Sequence, residues 1–355
     1  MADSTRRQRA RDQALTILAW VAERGAGRVP AAAVITYHRV APDDERPDLL
    51  PGLAVAPDAF EQQVRMLCEH AHPVSIDEML AAADGGPALP DRAVHITFDD
   101  AYACVEEHAW PVLRDLGVPA TMFVPARYPD QHRTFWWDRL HQAVAEHPGP
   151  ELRADGRTWP LAAEADRCRA RDELKAMVGA RPHHEGQVLV DEVCADAGCT
   201  APRPATSSWS GLRRMAAEGL AIGSHTRHHP FLDLVEEECL DREIAGSLVD
   251  LRQQLGNAVR PVLAYPGGHL DDRAVAAAAR CGIRMAFTTS RGVVGREPDW
   301  LRVPRINVGR RASAPLVRIQ LRPGPHRVHD LVRTALATRS RPDGDRSLPW
   351  RVPWN

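Results

Sequence analysis

The chain has 355 residues, of which 44% are hydrophobic, and its formal net charge is −2. A chain of this length can form one large α/β domain or two medium ones, each with a substantial core. The nearly balanced charge provides no global field that would attract nucleic acid or an anionic membrane, so we expect no nucleic-acid partner. The seven cysteines are scattered and odd in number, which indicates reduced thiols and not a disulfide framework.

The first thirty residues predict an N-terminal helix. Four arginines among residues 6–11 precede a short apolar run over residues 14–22. The pattern is similar to a secretory signal, but Glu23 and Arg24 follow where a cleavage site should stand. We therefore expect an amphipathic surface helix over residues 1–30. No segment reaches the length that spans a membrane, which favours a cytoplasmic enzyme that could work at a membrane surface.

Short apolar runs then alternate with helical patterns, which predicts an α/β fold with parallel strands. The predicted strands cover residues 33–38, 93–98, 120–124, 220–224, 262–265, 284–289 and 302–308. Helical periodicity lies between them. Its longest example is an apolar stripe that begins at Leu240 and ends before Gly256, a residue typical of helix C-termini.

The polar residues that could perform chemistry fall where these strands end. His38 ends the first strand, Asp99 and Asp100 follow the second, and His225 follows the fourth. Barrel and open-sheet enzymes place catalytic groups at the carboxyl ends of parallel strands. The sequence therefore predicts that these side chains converge on one face.

Two regions depart from the alternation. Residues from about 127 to 208 are polar and longer than a simple crossover, and we interpret them as a mostly helical insertion that could fold over the site. Residues 310–355 are rich in Arg and Pro and predict a peripheral C-terminal tail. The remaining stretch, residues 31–309, is the predicted catalytic domain.

A metal-assisted hydrolase is the function that the polar residues indicate. His225 and His229 are four residues apart and can bind one cation from one side of a turn. In the Asp99-Asp100 pair, one carboxylate can bind the metal while its neighbour takes a proton. One carboxylate and two imidazoles leave positions open on the ion, as hydrolysis requires. For an isolated pair of aspartates, a structural cap at a strand end would be the expected role.

Six segments in the same order resemble the polysaccharide deacetylase family, the NodB-homology carbohydrate esterases. They cover residues 35–40, 94–102, 119–124, 223–230, 264–268 and 303–306, so the resemblance runs through most of the chain. The opening Tyr37-His38-Arg39-Val40 is similar to that of one subgroup. The resemblance implies a distorted (β/α) barrel and an enzyme that removes N-acetyl or O-acetyl groups from sugars with one divalent metal.

The resemblance also implies roles for individual residues. Asp100, His225 and His229 would hold the metal, Asp99 would be the general base, and His38 would be the general acid toward the departing amine. Gly267, through its backbone N–H, and Tyr102 would lie beside the substrate and the oxyanion. The ion would be Zn²⁺, although two imidazoles and a carboxylate also accept Co²⁺, Ni²⁺ or Mn²⁺.

Three positions depart from the pattern of the family. Ala101 stands where glycine usually follows the Asp pair. Gly267 stands where the third motif often has tyrosine, so an aromatic wall beside the sugar is lost or supplied elsewhere. Ala264 stands where classical members have an arginine that orients the base. Arg305 is the candidate substitute, because a guanidinium can bind a carboxylate through two parallel hydrogen bonds.

The sequence thus predicts a metal-dependent N-deacetylase that uses metal-activated water and an Asp base. Its expected partner is an N-acetylated amino sugar in a glycan, a glycoconjugate or a small glycoside. The alternative is a hydrolase of a non-sugar amide, formamide or cyclic imide on the same metal site. A catalytically inactive sugar-binding protein is disfavoured, because the two aspartates and two histidines are all retained. The oligomeric state is left open.

Overall fold

The computed structural model describes residues 32–42, 49–131, 134–199 and 205–322 of the chain. The predicted N-terminal helix over residues 1–30 lies outside the described residues, as does the predicted tail beyond residue 322. Within the described part of the tail, a short helix, α10 (Ala314–Gln320), packs its buried Val317 against the core.

Seven parallel strands close into a barrel, which confirms the predicted fold class. In chain order they are β1 (Ala33–Tyr37), β5 (Ala93–Phe98), β6 (Ala120–Val124), β9 (Ala221–Ser224), β10 (Val259–Ala264), β11 (Met285–Arg291) and β12 (Val303–Asn307). Around the barrel the order is β1, β12, β11, β10, β9, β6 and β5, and β5 pairs again with β1. Every predicted strand corresponds to one of these.

The remaining strands are short and lie outside the ring. They are β2 (Arg39–Val40), β3 (Ala54–Val55), β4 (His72–Pro73), β7 (Glu151–Ala154) and β8 (Arg157–Pro160). The helices before α10 are α1 (Pro57–His70), α2 (Ile76–Ala83), α3 (Trp110–Asp115), α4 (Trp136–Glu146), α5 (Glu164–Gly179), α6 (His183–Ala197), α7 (Trp209–Ala217), α8 (Glu237–Leu255) and α9 (Asp272–Arg280). A widened helical turn, Val105–Ala109, leads into α3, and single 3-10 turns cover Pro51–Leu53, Leu232–Leu234, Gly256–Ala258 and Pro266–Gly268.

The interior of the barrel is packed with side chains. Phe123 on β6 and Phe287 on β11 lie on strands that are not neighbours, yet their ring centroids are 5.3 Å apart, so they meet across the interior. Gly223 on β9 makes room for them, because a Cβ atom there would lie 2.5 Å from the Phe123 ring. Buried residues of α2, such as Met79, belong to the same apolar cluster and cover the N-terminal end of the strands. The opposite end is left for the polar residues.

The outer surface of the barrel is covered by helices. The predicted stripe on α8 is buried, with Leu240, Ile244 and Leu251 all packed in the main hydrophobic cluster. Gly256 follows the helix with a φ of 55°, a backbone conformation that favours glycine. Among the described residues, no helix combines the length and the apolar character that crossing a bilayer would require.

The segment between β6 and β9 has a hydrophobic core of its own. Helices α4, α5 and α6 pack with the β7–β8 hairpin around buried residues such as Leu140, Leu174 and Leu189. The sequence reading anticipated helices here but not the hairpin. Its turn is Asp155-Gly156, in which both residues have a positive φ. Asp-Gly between short strands is a strong hairpin signal, so the sequence did contain the information.

Candidate metal centre and active site

A tight turn after β9 brings His225 and His229 together. Thr226 and His229 adopt left-handed backbone conformations, with φ values of 64° and 62°. The turn is closed from within, because the His229 N–H donates to the Thr226 hydroxyl over 3.0 Å. Helix α8 supports it from outside, where the Glu243 carboxylate accepts the backbone N–H groups of residues 227 and 228. The two imidazoles are therefore fixed by their own loop and by a neighbouring helix.

Asp100 reaches the same place through another left-handed turn. The residue directly after β5, Asp99, is followed by Asp100 and Ala101 with φ values of 70° and 53°. Consecutive residues of an extended strand point to opposite faces of a sheet. The turn gives Asp100 a different direction, so that both neighbouring carboxylates serve one site.

The three predicted metal ligands form one buried cluster. The Asp100 Oδ1 atom lies 3.3 Å from His225 Nε2 and 3.2 Å from His229 Nε2, and the two Nε2 atoms are 3.2 Å apart. One ligand atom from each residue lies within 4.8 Å of the others. All three side chains are almost fully buried, with exposed fractions between 2% and 4%. Such a group can surround one small ion.

The hydrogen bonding of the cluster fits a cation. Asp100 Oδ1 is buried and, among the described residues, has no hydrogen bond of acceptable geometry despite its two close imidazoles. His225 Nδ1 lies 2.8 Å from the Ala264 carbonyl oxygen, which favours a proton on Nδ1 and a lone pair on Nε2. A buried carboxylate oxygen and an imidazole lone pair that face one point are the donors that Zn²⁺ and similar ions bind. The residues present therefore fit a divalent metal.

The charges of the cluster act differently on its three members. Burial alone would raise the pKa of Asp100, but the imidazoles of His225 and His229 outweigh it and lower that pKa. Burial lowers the pKa of His229, which favours a neutral ring. Burial acts in the same direction on His225, but there the neighbouring aspartates prevail and the pKa is raised. A metal ion would take the position of the protons that this coupling attracts.

Asp99 is held by Arg305 through two parallel hydrogen bonds. Arg305 Nη1 donates to Asp99 Oδ1 over 2.8 Å, and Nη2 donates to Oδ2 over 2.6 Å. Arg305 is fully buried, its Nε donates to the Thr288 carbonyl, and its guanidinium lies 5.8 Å from the centre of the Phe123 ring. Burial alone would raise the pKa of Asp99, but the charge of Arg305 outweighs it and keeps that pKa low. The expected contact between Arg305 and the carboxylate is thus present.

His38 lies at the end of β1 beside both aspartates. The Asp99 N–H donates to the carbonyl of Tyr37, the residue before His38, over 2.9 Å. Burial lowers the pKa of His38, and this effect prevails over the opposite effect of the Asp100 and Asp99 charges. Burial thus favours the neutral imidazole, while the two carboxylates beside it favour the protonated form.

Gly267 and Tyr102, the two residues predicted to lie beside the substrate, have different surroundings in the structure. Gly267 is exposed to solvent and has a φ of 61°. The Tyr102 side chain is fully buried and turned toward the insertion, where its hydroxyl donates to Asp138 Oδ2 over 2.8 Å and accepts from Trp137 Nε1 over 3.0 Å. The Tyr102 hydroxyl is thus hydrogen-bonded within the insertion. The group of Tyr102 that could bind an oxyanion is therefore its backbone N–H.

An aromatic cover over the cluster of Asp100, His225 and His229 is the feature that the sequence did not predict. Phe135 and Trp137 stack on each other at 4.5 Å, and their ring centroids lie 5.6 and 5.1 Å from the His229 ring. The neighbouring Asp138 is fully buried, accepts the Leu50 N–H as well as the Tyr102 hydroxyl, and has a pKa raised to about 6 by burial. The run of aromatic residues at 135–137 is visible in the sequence, but no local pattern indicates that these rings pack on His229.

Comparisons with known proteins agree with this architecture. The family model described as polysaccharide deacetylase matches residues 86–185 and 192–286, which is more than half of the chain. A poly-beta-1,6-N-acetyl-D-glucosamine N-deacetylase from Escherichia coli (strain K12) is 36% identical over 87 residues, which are 24% of this chain and only 12% of that protein. A Bacillus subtilis (strain 168) protein described as a polysaccharide deacetylase, YxkH, is 19% identical over 293 residues, covering 82% of this chain and 75% of that protein.

Solved structures share the fold. The Streptococcus pyogenes deacetylase PplD, in complex with acetate, superimposes with a TM-score of 0.57 at 18% identity and covers 83% of this chain and all of its own. IcaB from Ammonifex degensii gives a TM-score of 0.55 at 21% identity and covers 82% of this chain and 97% of its own. At these identities the likeness concerns the fold alone.

Proposed function

The chain belongs to the polysaccharide deacetylase family, and on that premise we propose that it is a metal-dependent enzyme that hydrolyses the N-acetyl group of an amino sugar. The observation that carries the proposal is the buried cluster of Asp100, His225 and His229 beside a second carboxylate, Asp99, held by Arg305. The two aspartates and the two histidines follow the carboxyl ends of barrel strands, where barrel enzymes have their active sites, and Arg305 reaches them from within β12.

Three ligands from the chain would hold the metal, and the remaining positions would be open to water and the acetyl oxygen. When bound, a divalent ion would polarise the carbonyl and lower the pKa of water from about 16 toward about 7. Zn²⁺ suits two imidazoles and one carboxylate, and Co²⁺, Ni²⁺ and Mn²⁺ are the other candidates. The choice among these ions rests on donor chemistry.

Asp99 would accept the proton of the attacking water. Its carboxylate is kept ionised by Arg305, and the paired hydrogen bonds fix its orientation before substrate arrives. The backbone N–H groups of Gly267 and Tyr102 would stabilise the negative charge on the acetyl oxygen. His38, protonated before this step, would then donate its proton to the departing nitrogen, which otherwise leaves poorly as an amide anion. The proton that Asp99 took from water would leave to solvent, and His38 would be protonated again for the next cycle.

A hydrolase of a non-sugar amide, formamide or cyclic imide remains the second candidate. Gly267 favours it, because this position contributes no side chain that would contact a sugar. The metal ligands and the base would be the same, so only the substrate separates the two candidates.

Acetate release from a panel of N-acetylated sugars tests the proposal. The full-length protein is stripped with a chelator, and one portion is restored with Zn²⁺ or Co²⁺. We expect acetate from the restored protein only, because the bound ion would supply the acidification of water that the proposed mechanism needs. Equal release by the stripped protein would contradict metal dependence. Hydrolysis of simple amides or imides, with every sugar left intact, would favour the second candidate.

Replacing His38 by Ala should slow amide cleavage by about a hundredfold and leave the metal bound, because a general acid contributes roughly 10²–10⁴ in rate. The His38 role also predicts a substrate dependence. An activated ester of the same acid has a leaving group that needs no proton, so its hydrolysis should fall far less in the His38→Ala variant. Equal losses for the amide and the ester, or an unchanged pH–rate profile, would refute the role of His38 as the acid.

A further inference from the structure

Two cysteines meet at the C-terminal end of α6. Cys194 lies in the last turn of the helix, and Cys199 is the second residue after it. The chain reverses between them through Gly198, which has a φ of 61°. The Cys199 N–H donates to the Cys194 carbonyl over 3.2 Å. The Gly198 N–H donates to the Ala195 carbonyl over 3.1 Å. This pair of hydrogen bonds is a Schellman motif, in which the side chains at the positions of Cys194 and Cys199 commonly pack on each other.

The thiols of this pair are free and in contact. Neither cysteine forms a disulfide in the structure. The Cys199 sulfur lies 3.6 Å from the Cys194 carbonyl oxygen and beside the Cys194 thiol. Two aliphatic side chains would fill the same contact, so packing alone does not require sulfur at both positions. Two neighbouring thiols add a chemistry that an aliphatic pair lacks, because they can be oxidised to one disulfide.

The two sulfurs differ in their access to solvent. Cys194 has an exposed fraction of 7%, whereas Cys199 is partly exposed, so an oxidant from solution would meet Cys199 first. Burial raises the pKa of the Cys194 thiol, and the nearby charge of Arg139 opposes this effect and favours the thiolate. Arg139 comes from α4, and its buried Nε has no hydrogen-bond partner within the described part of the chain. The second thiol therefore has a cation beside it that would stabilise it as a nucleophile.

We propose that Cys194 and Cys199 form a redox site that reacts with a low-molecular-weight disulfide and closes to an intramolecular disulfide. The Cys199 sulfur attacks one sulfur of the small disulfide, and the other sulfur leaves as a thiol with the proton that Cys199 gives up. The Cys194 sulfur then attacks Cys199 in this mixed disulfide, and the second small thiol leaves with the proton of Cys194. Two protein thiols are oxidised and one small disulfide is reduced to two thiols. The inference is independent of the proposed function.

Reaction of the full-length native protein with oxidised glutathione, followed by peptide mapping in a mass spectrometer, tests the proposal. We expect a bond between Cys194 and Cys199, with the loss of two hydrogen atoms, and reversal by dithiothreitol. Cys194→Ser should stop at the mixed disulfide and keep one glutathione on Cys199. Cys199→Ser should slow reaction at Cys194 by at least about tenfold, because a buried thiol is poorly reactive. Cys168→Ser removes another partly exposed thiol of the insertion and is the control, which should form the bond as the wild-type protein does.

A second measurement needs no variant. Phenylarsine oxide, whose arsenic bridges two adjacent sulfurs, should bind the reduced wild-type protein and protect both Cys194 and Cys199 from alkylation. Protection of neither cysteine would overturn the proposal. A stable glutathione adduct on Cys199 of the wild-type protein, with no bond to Cys194, would also overturn it. So would a bond that forms only after denaturant is added, because the native turn would then keep the thiols from reacting with each other.

Discussion

Asp99→Asn is expected to lower the rate of acetate release by about a thousandfold, within the roughly 10²–10⁴ that general base catalysis contributes. Metal content should be unchanged, because the three proposed ligands remain. The asparagine side chain has nearly the same shape, but it cannot accept the proton of the attacking water. Rate and metal content, measured on the same preparation, give the two halves of this prediction.

The same substitution should also lower stability, since Asp99 is the charge partner of the fully buried Arg305. Removal of one member of a buried ion pair costs about 3–5 kcal/mol, and asparagine, which keeps one oxygen, should cost less. Melting temperature must therefore be recorded beside activity. The matched control is Asp138→Asn, another isosteric change at a fully buried aspartate outside the metal set, which should retain activity within about threefold. A near-normal rate for Asp99→Asn would disprove the proposed role of Asp99 as general base. Loss of metal from the folded variant would indicate that Asp99 is itself a metal ligand.

His225→Ala is expected to abolish metal binding at micromolar concentrations and with it all activity. Changes to residues that only support a ligand already cost about 10–100-fold in affinity, so loss of one of three ligands should cost at least about a hundredfold. A metal that binds the folded protein alone stabilises it, by about 4.1 kcal/mol at a thousand times the Kd. Addition of Zn²⁺ should thus raise the melting temperature of the wild-type protein and not that of the variant.

His228 provides a control from the same turn. Its side chain is 38% exposed, and its Nδ1 lies 2.7 Å from Glu243 instead of facing the cluster. His228→Ala should therefore retain the metal-induced rise in melting temperature and the metal content after dialysis. An equal loss in both variants would indicate a damaged turn, and retained metal in His225→Ala would contradict the assigned ligand.

The barrel strands could be predicted because each is a short apolar run. The segments that resemble the family also follow one another along the chain in the family's order. The predicted and observed ends of a strand differ where polar residues interrupt the apolar run. Strand β10 begins at Val259, whereas the predicted strand begins at residue 262, because Arg260 and Pro261 interrupt the apolar pattern at its start. The Arg260 side chain lies at the surface, where it pairs with Asp77. The clustering of Asp100 with the two histidines also followed from the sequence, since all three lie in loops that follow parallel strands.

Contacts between distant segments could not be predicted in this way. Phe135 and His229 are separated by 94 positions, and no local pattern states that one ring covers the other. The direction of the Tyr102 side chain likewise depends on Asp138, which lies in the insertion.

The left-handed backbone at Asp100 and Ala101 also restricts which sequences can keep this site. For residues with a Cβ atom this conformation costs about 1–2 kcal/mol, and β-branched residues fit it poorly. Position 101 is not among the proposed ligands, yet few residue types should suit it, because this turn gives the proposed ligand Asp100 and the proposed base Asp99 their different directions. Ala101 is fully buried at this turn, where its single methyl group needs little more space than glycine would. Tolerance to mutation around the centre is therefore set as much by backbone geometry as by the catalytic groups themselves.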